Sequence, residues 1–358
     1  MARRRNRPRG RFERPSKAGL PPGSAVYVGP ERTSRVHVHV IDYDKDGVRE
    51  FDDPSPDKLQ SYRSPRSVTW IDVDGVHDVA VVLAVAEAFG LHALWVEDIL
   101  NPQTRPKVDQ QGELMLLILR SLHGATDVTT SEQIALVLGD GFVISFQERP
   151  GDEWNAVRAR IRDASGRIRG MGADFLLHAL VDVTVDAYFG VVQRVEEQVD
   201  TLEDQALETL DRNLPSKVLA LKSEIAMLRA AAWPVREAVG VLMRGQLGCV
   251  RAETVPFFRD LDDHLAQVLD AVEADRERLL SAIELHLAMT NQQLNEVIRV
   301  LTVVSTIFLP LMFLSSLWGM NFKHMPELEW TYGYEAALGL MASVGVGMYV
   351  WFRRQRLL

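Results

Sequence analysis

Cysteine is almost missing from this chain: Cys249 stands alone among 358 residues. A single thiol rules out an intramolecular disulfide framework and fits a reducing compartment. The sequence also lacks a Gly-rich phosphate loop, a nucleophile motif and a zinc-type Cys/His cluster, so it does not read as an enzyme. Arginines crowd the N-terminus, but no apolar run follows them, which excludes a signal peptide. The most informative shortage is of charge. Val300 to Trp318 holds 19 residues without one, and Tyr334 to Phe352 holds 19 with only Glu335. At about 1.5 Å per residue each run reaches roughly 28 Å as a helix, close to the hydrocarbon thickness of a bilayer. Two such spans joined by 15 residues make a membrane hairpin. A pair of helices buried in a large soluble core is the bland alternative, and the charge-free length argues against it.

Charge is plentiful elsewhere and unevenly spread. Residues 1–20 carry a net +7 and residues 299–358 a net +2, so the total of −9 leaves −18 on residues 21–298. An acidic body beside a membrane hairpin points to cations as partners and argues against nucleic acid. The basic tail reads as disordered, with anionic lipid headgroups as its sharper alternative. Arg299 precedes the first span, and Arg353, Arg354 and Arg356 follow the second. The connection offers only Lys323 and His324 against Glu327 and Glu329. Positive-inside counting therefore puts both termini in the cytoplasm and the loop outside, in a multi-pass protein of the inner or plasma membrane.

Between tail and hairpin the patterning changes once. Arg35 to Val40 and Ser67 to Val73 alternate as strands do, Val79 to Ala86 has helical spacing, and Leu114 to Leu119 reads as a buried strand. Ile134 to Leu138 and Phe142 to Phe146 flank Gly139-Asp140-Gly141, a hairpin signal. His37 and His39 share one strand face, which a surface strand explains as well as metal ligation does. From about Ala173 the chain is helical: Asp174 to Glu208, then Lys217 to Arg244 with Pro234 inside, then Thr254 as N-cap of a helix running to Leu317. Only Pro310 interrupts that last helix, about 95 Å long at 1.5 Å per residue. Such a helix needs neighbours, and identical copies are the simplest supply.

These boundaries give a basic tail (1–24), a cytoplasmic α/β domain (25–165) and a cytoplasmic helical domain (166–253). A stalk helix with the first span (254–318), an outer loop (319–333), the second span (334–352) and a basic cytoplasmic end (353–358) complete the chain. Along the stalk, Ser316, Met312, Leu309, Ser305, Thr302, Ile298, Asn295, Asn291, Ala288 and Glu284 recur at spacings of four and three, so they share one face. Polar groups in a span face protein or water; helix packing and a water-filled path both fit the pattern. Mg²⁺ sheds water reluctantly, so a path that admits it cheaply holds the hydrated ion through neutral oxygens. Asn321 at the mouth and Asn295 near the inner face supply amide rings. Ile298, Leu301, Leu309 and Met312 supply apolar rings that close by dewetting.

Trp318-Gly319-Met320-Asn321-Phe322, followed by Met325-Pro326-Glu327-Leu328, resembles the CorA family of magnesium/cobalt channels. So do Glu97 to Asn101 with Arg105-Pro106-Lys107, Leu228-Arg229 with Trp233 to Glu237, and Thr254 to Asp260. The resemblance covers residue 25 to the end. It implies a funnel-shaped homopentamer with a cytoplasmic α/β domain, long stalk helices lining the pore, and the second span around the outside. It implies that Gly319, Met320 and Asn321 form the selectivity mouth, and that Asn295, Ile298 and Leu301 form the inner constriction. Leu309 is then a further ring, Thr302, Ser305 and Met312 line the pore, and Glu327 and Glu329 attract cations. Mg²⁺ is both substrate and regulatory ligand, held between subunits at Asp98 and Asp260, with Glu97 and Asp182 as a second pair. Two departures stand out: Trp318 replaces a tyrosine, and Met312 replaces a threonine hydroxyl of the outer pore. A Zn²⁺ carrier of the same superfamily and a non-conducting membrane-anchored Mg²⁺ sensor are the competing readings.

Overall fold

A computed structural model of the chain describes residues 19–30, 32, 34–62, 66–123, 129–149, 151, 153–208, 211, 213–244, 248–320, 325–326 and 330–355. It divides into two compact units, Met1–Thr201 with Ser216–Leu279, and Leu202–Pro215 with Leu280–Leu358.

The first unit is built on a seven-stranded sheet. Its strands are β1 (His37–Tyr43), β2 (Val48–Asp52), β3 (Val68–Asp74), β4 (Lys107–Gln111), β5 (Leu114–His123), β6 (Thr130–Gly139) and β7 (Phe142–Gln147), in the order β2-β1-β3-β7-β6-β5-β4. β3 and β7 run parallel and the other neighbours antiparallel. Gly141, at φ +78°, makes the tight β6–β7 turn in a conformation that favours glycine.

Each strand divides its residues between two covered faces. Ile71, Val73, Ile144 and Phe146 pack under α1 (Val79–Phe89) and α2 (Ala93–Ile99). Asp78 caps α1 by accepting from the Ala80 N–H at 3.0 Å, and Gly90 ends it at φ +68°. The opposite face carries Trp70, which meets Trp154 edge-on at 5.9 Å, just before α3 (Asn155–Arg162). Trp154 Nε1 donates to Leu180 O at 3.1 Å on α4 (Ala173–Glu208), and the Tyr188 hydroxyl donates to Arg120 O. This second face is unusually polar for a core. Asp72 is fully buried against Arg158 and accepts from Ser145 Oγ at 2.6 Å. His37 and His39 are engaged by Asp53, Asp52 and Glu50, which agrees with the surface-strand reading.

The remaining elements are α5 (Leu214–Met243), α6 (Val255–Trp318) and α7 (Gly333–Arg354). α6 is one uninterrupted 64-residue helix with Pro310 inside it. Its first part packs along α4. The Thr254 hydroxyl donates to the buried Asp174 at 2.7 Å, so this threonine ties α6 to α4 where the sequence suggested a simple N-cap. Among the described residues, three helices are long and apolar enough to cross a membrane. The apolar window of α4 is 61% buried within its unit, whereas those of α6 and α7 are 6% buried. Burial separates a core helix from two that need lipid or a partner.

Candidate functional site

In the second unit, α6 presents two distinct faces. Val303 is 4% exposed, and Ile307, Pro310, Leu311 and Leu314 are half-buried on the same side. That side meets α7, where a Cβ added to Gly345 would lie 3.7 Å from the Leu311 side chain. The heptad stripe lies elsewhere. Asn295, Ile298, Leu301, Thr302, Ser305, Leu309 and Met312 are all exposed in the single chain, Leu309 and Met312 at 70% each. α7 therefore leaves the whole stripe free, together with the wholly apolar neighbours Val304, Phe308 and Phe313. The Thr302 hydroxyl donates to Ile298 O at 2.8 Å, which commits its proton and leaves its lone pairs to accept from water. Gly319 and Met320 continue α6 by one turn, through Gly319 N–H to Ser316 O at 3.2 Å. Asn321, Glu327 and Glu329 lie outside the described residues.

The first unit holds a second cluster of interest, on the α4–α6 seam. The two helices run side by side in the same direction: Asp174 meets Thr254, His178 meets Phe257, and Phe189 meets His264. Successive α4 residues four apart therefore face α6. Two of them, Asp182 and Asp186, converge with His264, each offering a ligand atom within 4.8 Å of the others. Asp260 stands one turn before His264, its carboxylate 4.0 Å from His264 Nε2. Burial raises the carboxyl pKa of Asp182 against the smaller lowering pull of Arg160 and His264, and Asp260 adds to the rise. Asp186 is raised by burial and by Asp182. Both effects disfavour the charged forms until a cation arrives. Two carboxylates and an imidazole can hold a divalent ion.

Asp182 and Asp260 thus come together, joined by Asp186 and His264, which the sequence reading missed. The i, i+4 spacings of Asp182 with Asp186 and of Asp260 with His264 were the available signal, but nothing local says which helices will meet. Asp98 and Glu97 are engaged on α2. Asp98 accepts from Lys107 Nζ at 2.6 Å, and Glu97 accepts from the Gly23 N–H at 2.6 Å. Lys107 holds Asp98 as a surface ion pair, which a divalent cation can displace at little cost.

Comparisons with known proteins bear on both regions. The family described as "CorA-like Mg2+ transporter protein" matches residues 65–354. The cobalt/magnesium transport protein CorA of Thermotoga maritima is 37% identical over 343 residues, covering 95% of this chain and 97% of that protein. The CorA protein of Methanocaldococcus jannaschii is 24% identical over 320 residues, covering 88% and 98%. The complete structure of the M. jannaschii magnesium transporter superposes with a TM-score of 0.76 at 20% identity, over 90% of this chain and 99% of the other. The stretch matched by the family runs from β3 through α6 to the last turn of α7, so it takes in the exposed stripe and the α4–α6 cluster alike, and this chain belongs to the CorA-like Mg²⁺ transporter family.

Proposed function

We propose that the chain assembles, as a homopentamer, into a channel that carries Mg²⁺, and with it Co²⁺ or Ni²⁺, into the cytoplasm. The observation that carries this reading is the free stripe on α6. A membrane helix whose lipid-side neighbour leaves a mixed amide, hydroxyl and apolar face bare needs copies of itself around water. Asn321 forms the outer ring with Gly319 and Met320. Its amide oxygens accept hydrogen bonds from first-shell water, so the ion enters hydrated and leaves again. Glu327 and Glu329 raise the local cation concentration at the mouth. Asn295 forms the inner polar ring, and Ile298, Leu301, Leu309 and Met312 close the path when it dewets.

Gating follows from the cytoplasmic carboxylates. Asp98 of one subunit faces Asp260 of the next, with Glu97 and Asp182 close by. Like charges repel until a cation bridges them, so occupancy reports internal Mg²⁺ and holds the ring closed. Both termini lie in the cytoplasm and the Gly-Met-Asn loop outside, in agreement with Arg353 and Arg354 in the last turn of α7. His264 beside Asp182 adds nitrogen to the donor set, which favours Co²⁺, Ni²⁺ or Zn²⁺ over Mg²⁺ and keeps the Zn²⁺ carrier as the second reading.

Purified protein in liposomes tests the reading by ion uptake. Wild-type protein should admit Mg²⁺ down its gradient without a proton gradient, and Asn321→Ala should abolish uptake while the oligomer stays intact. Uptake of Zn²⁺ that requires a pH gradient would favour the carrier. Absence of any flux would leave only the sensor.

A further inference from the structure

Two segments that stand out in the sequence have no task in the channel proposed above: Arg105-Pro106-Lys107, and Leu228-Arg229 with Trp233 to Glu237. Within the first unit the fold brings them together. Arg105 and Pro106 lead into β4 at the edge of the sheet, while Ala226, Arg229, Ala230 and Trp233 recur at spacings of three and four along one face of α5. With Arg120 of β5 they line a cavity of about 600 Å³, a volume that suits a small organic ligand.

Strand register explains why positive charge collects there. Lys107 pairs with Ile118, so continuing the ladder two residues sets Arg105 opposite Arg120. The Arg120 guanidinium donates to Thr104 O at 3.2 Å, which keeps it at that edge. Like charges directly opposite one another destabilise a sheet. Among the described residues neither arginine has a carboxylate in ion-pair contact. Across β5–β6 Arg120 faces Gln133, and the next acid along that row, Glu148, is held by Arg32 at 2.6 Å. Burial disfavours the charged form of Arg120, against the smaller pull of Glu148. Arg229 reaches only Glu273, at 3.6 Å, and Glu273 also pairs with Arg276.

Among the described residues, no aspartate or glutamate lines the cavity. Three guanidinium groups around an acid-free space reverse the trend of a body that carries −18. Half-buried positive charge without a counter-charge calls for an anion. Guanidinium forks bind phosphate oxygens in pairs, through charge-assisted hydrogen bonds. Trp233 adds a second kind of contact. Its indole is 51% exposed beside these arginines and offers a flat face on which a planar ring can stack.

We propose that this cavity binds a nucleotide, with its phosphate groups on Arg105, Arg120 and Arg229 and its base against Trp233. The phosphates supply the charge that the arginines lack, and stacking of the base on an indole strengthens binding by about tenfold or more. No metal is needed to hold the ligand, since the guanidinium groups meet the phosphates directly.

The test measures binding of radiolabelled ATP to the full chain in detergent and EDTA by equilibrium dialysis, with inorganic tripolyphosphate as competitor. Wild type should bind one ATP per chain, and tripolyphosphate should compete at least tenfold more weakly than unlabelled ATP. Arg105→Gln and Arg229→Gln alter exposed side chains, so the fold is kept, and each should weaken ATP about tenfold. Trp233→Ala should weaken ATP to a similar extent and leave tripolyphosphate unchanged. Lys222→Gln removes an exposed charge of α5 outside the cavity and should bind as wild type does. No ATP bound at millimolar concentration, or arginine variants that bind like wild type, would overturn the proposal. Tripolyphosphate bound as tightly as ATP would overturn the nucleotide assignment and leave a plain phosphate patch. The assay reads no ion flux, so its failure is distinct from a failure of the channel reading.

Discussion

His178 shows how a single side chain couples the α4–α6 seam to pH. It stacks on Phe175 at 5.7 Å, lies edge-on to Phe258 and meets the Phe257 carbonyl at 3.1 Å through Nε2. Burial among these rings pushes its pKa down from 6.5 to about 4, against the smaller opposing pull of the Phe257 carbonyl and Asp260. The folded protein therefore binds this proton less readily than the unfolded chain. Its contribution to stability is complete above pH 6.5 and is lost as pH falls toward 4. His178→Gln should accordingly be less stable than wild type at pH 7, with the gap in melting temperature closing toward pH 4. A gap that stays constant with pH would contradict the assignment. Such a residue is hard to foresee. His178 reads as an ordinary helical histidine until α6 arrives from about 80 positions away. Asp186 and His264 are hidden for the same reason, while Asp98, Asp182 and Asp260 were reached through family motifs and not through local chemistry.

At the scale of elements, length and periodicity made the long helices legible. α4, α5, α6 and α7 begin and end within a few residues of where the apolar spacing, Pro215 and Thr254 place them. The β6–β7 hairpin was equally plain from Gly139-Asp140-Gly141. The elements that escaped are short or polar. β4 reads Lys-Val-Asp-Gln-Gln at the sheet edge, where no apolar alternation is required. α2 has seven residues, and α3 is rich in arginine, so neither gives a clear helical period. α4 shows the opposite lesson, since composition alone qualifies it as a span and only packing excludes it. For α6 the decisive fact is that one of its bare faces mixes amides and hydroxyls with apolar residues, while Val304, Phe308 and Phe313 beside it are wholly apolar. Leu309 belongs to the mixed face, and its apolar ring is proposed to hold the closed path dry. Leu309→Ser should wet the constriction and raise resting Mg²⁺ flux into liposomes several-fold. Flux equal to wild type would remove Leu309 from the gate.

For the whole molecule, charge is the organising quantity. The −18 between residues 21 and 298 is only half offset by the +7 and +2 at the two ends of the chain, so copies brought together repel through their acidic bodies. Divalent cations relieve such repulsion, which is the physical basis of the regulatory role proposed for them. Mg²⁺ should protect the assembled wild-type protein from protease, and the double variant Asp98→Asn, Asp260→Asn should lose most of that protection. Protection of the double variant at wild-type Mg²⁺ concentrations would separate these carboxylates from gating. The lone cysteine offers a way into the membrane part. With Cys249→Ser as background, single cysteines from Asn295 to Ser316 can be exposed to a water-soluble thiol reagent in Mg²⁺-free membranes. A water-filled path lined by the stripe predicts fast labelling at positions 298, 302, 305, 309 and 312, and protection at Val303, Ile307 and Leu314. Labelling without that period, or strongest at the three protected positions, would contradict a pore along this face.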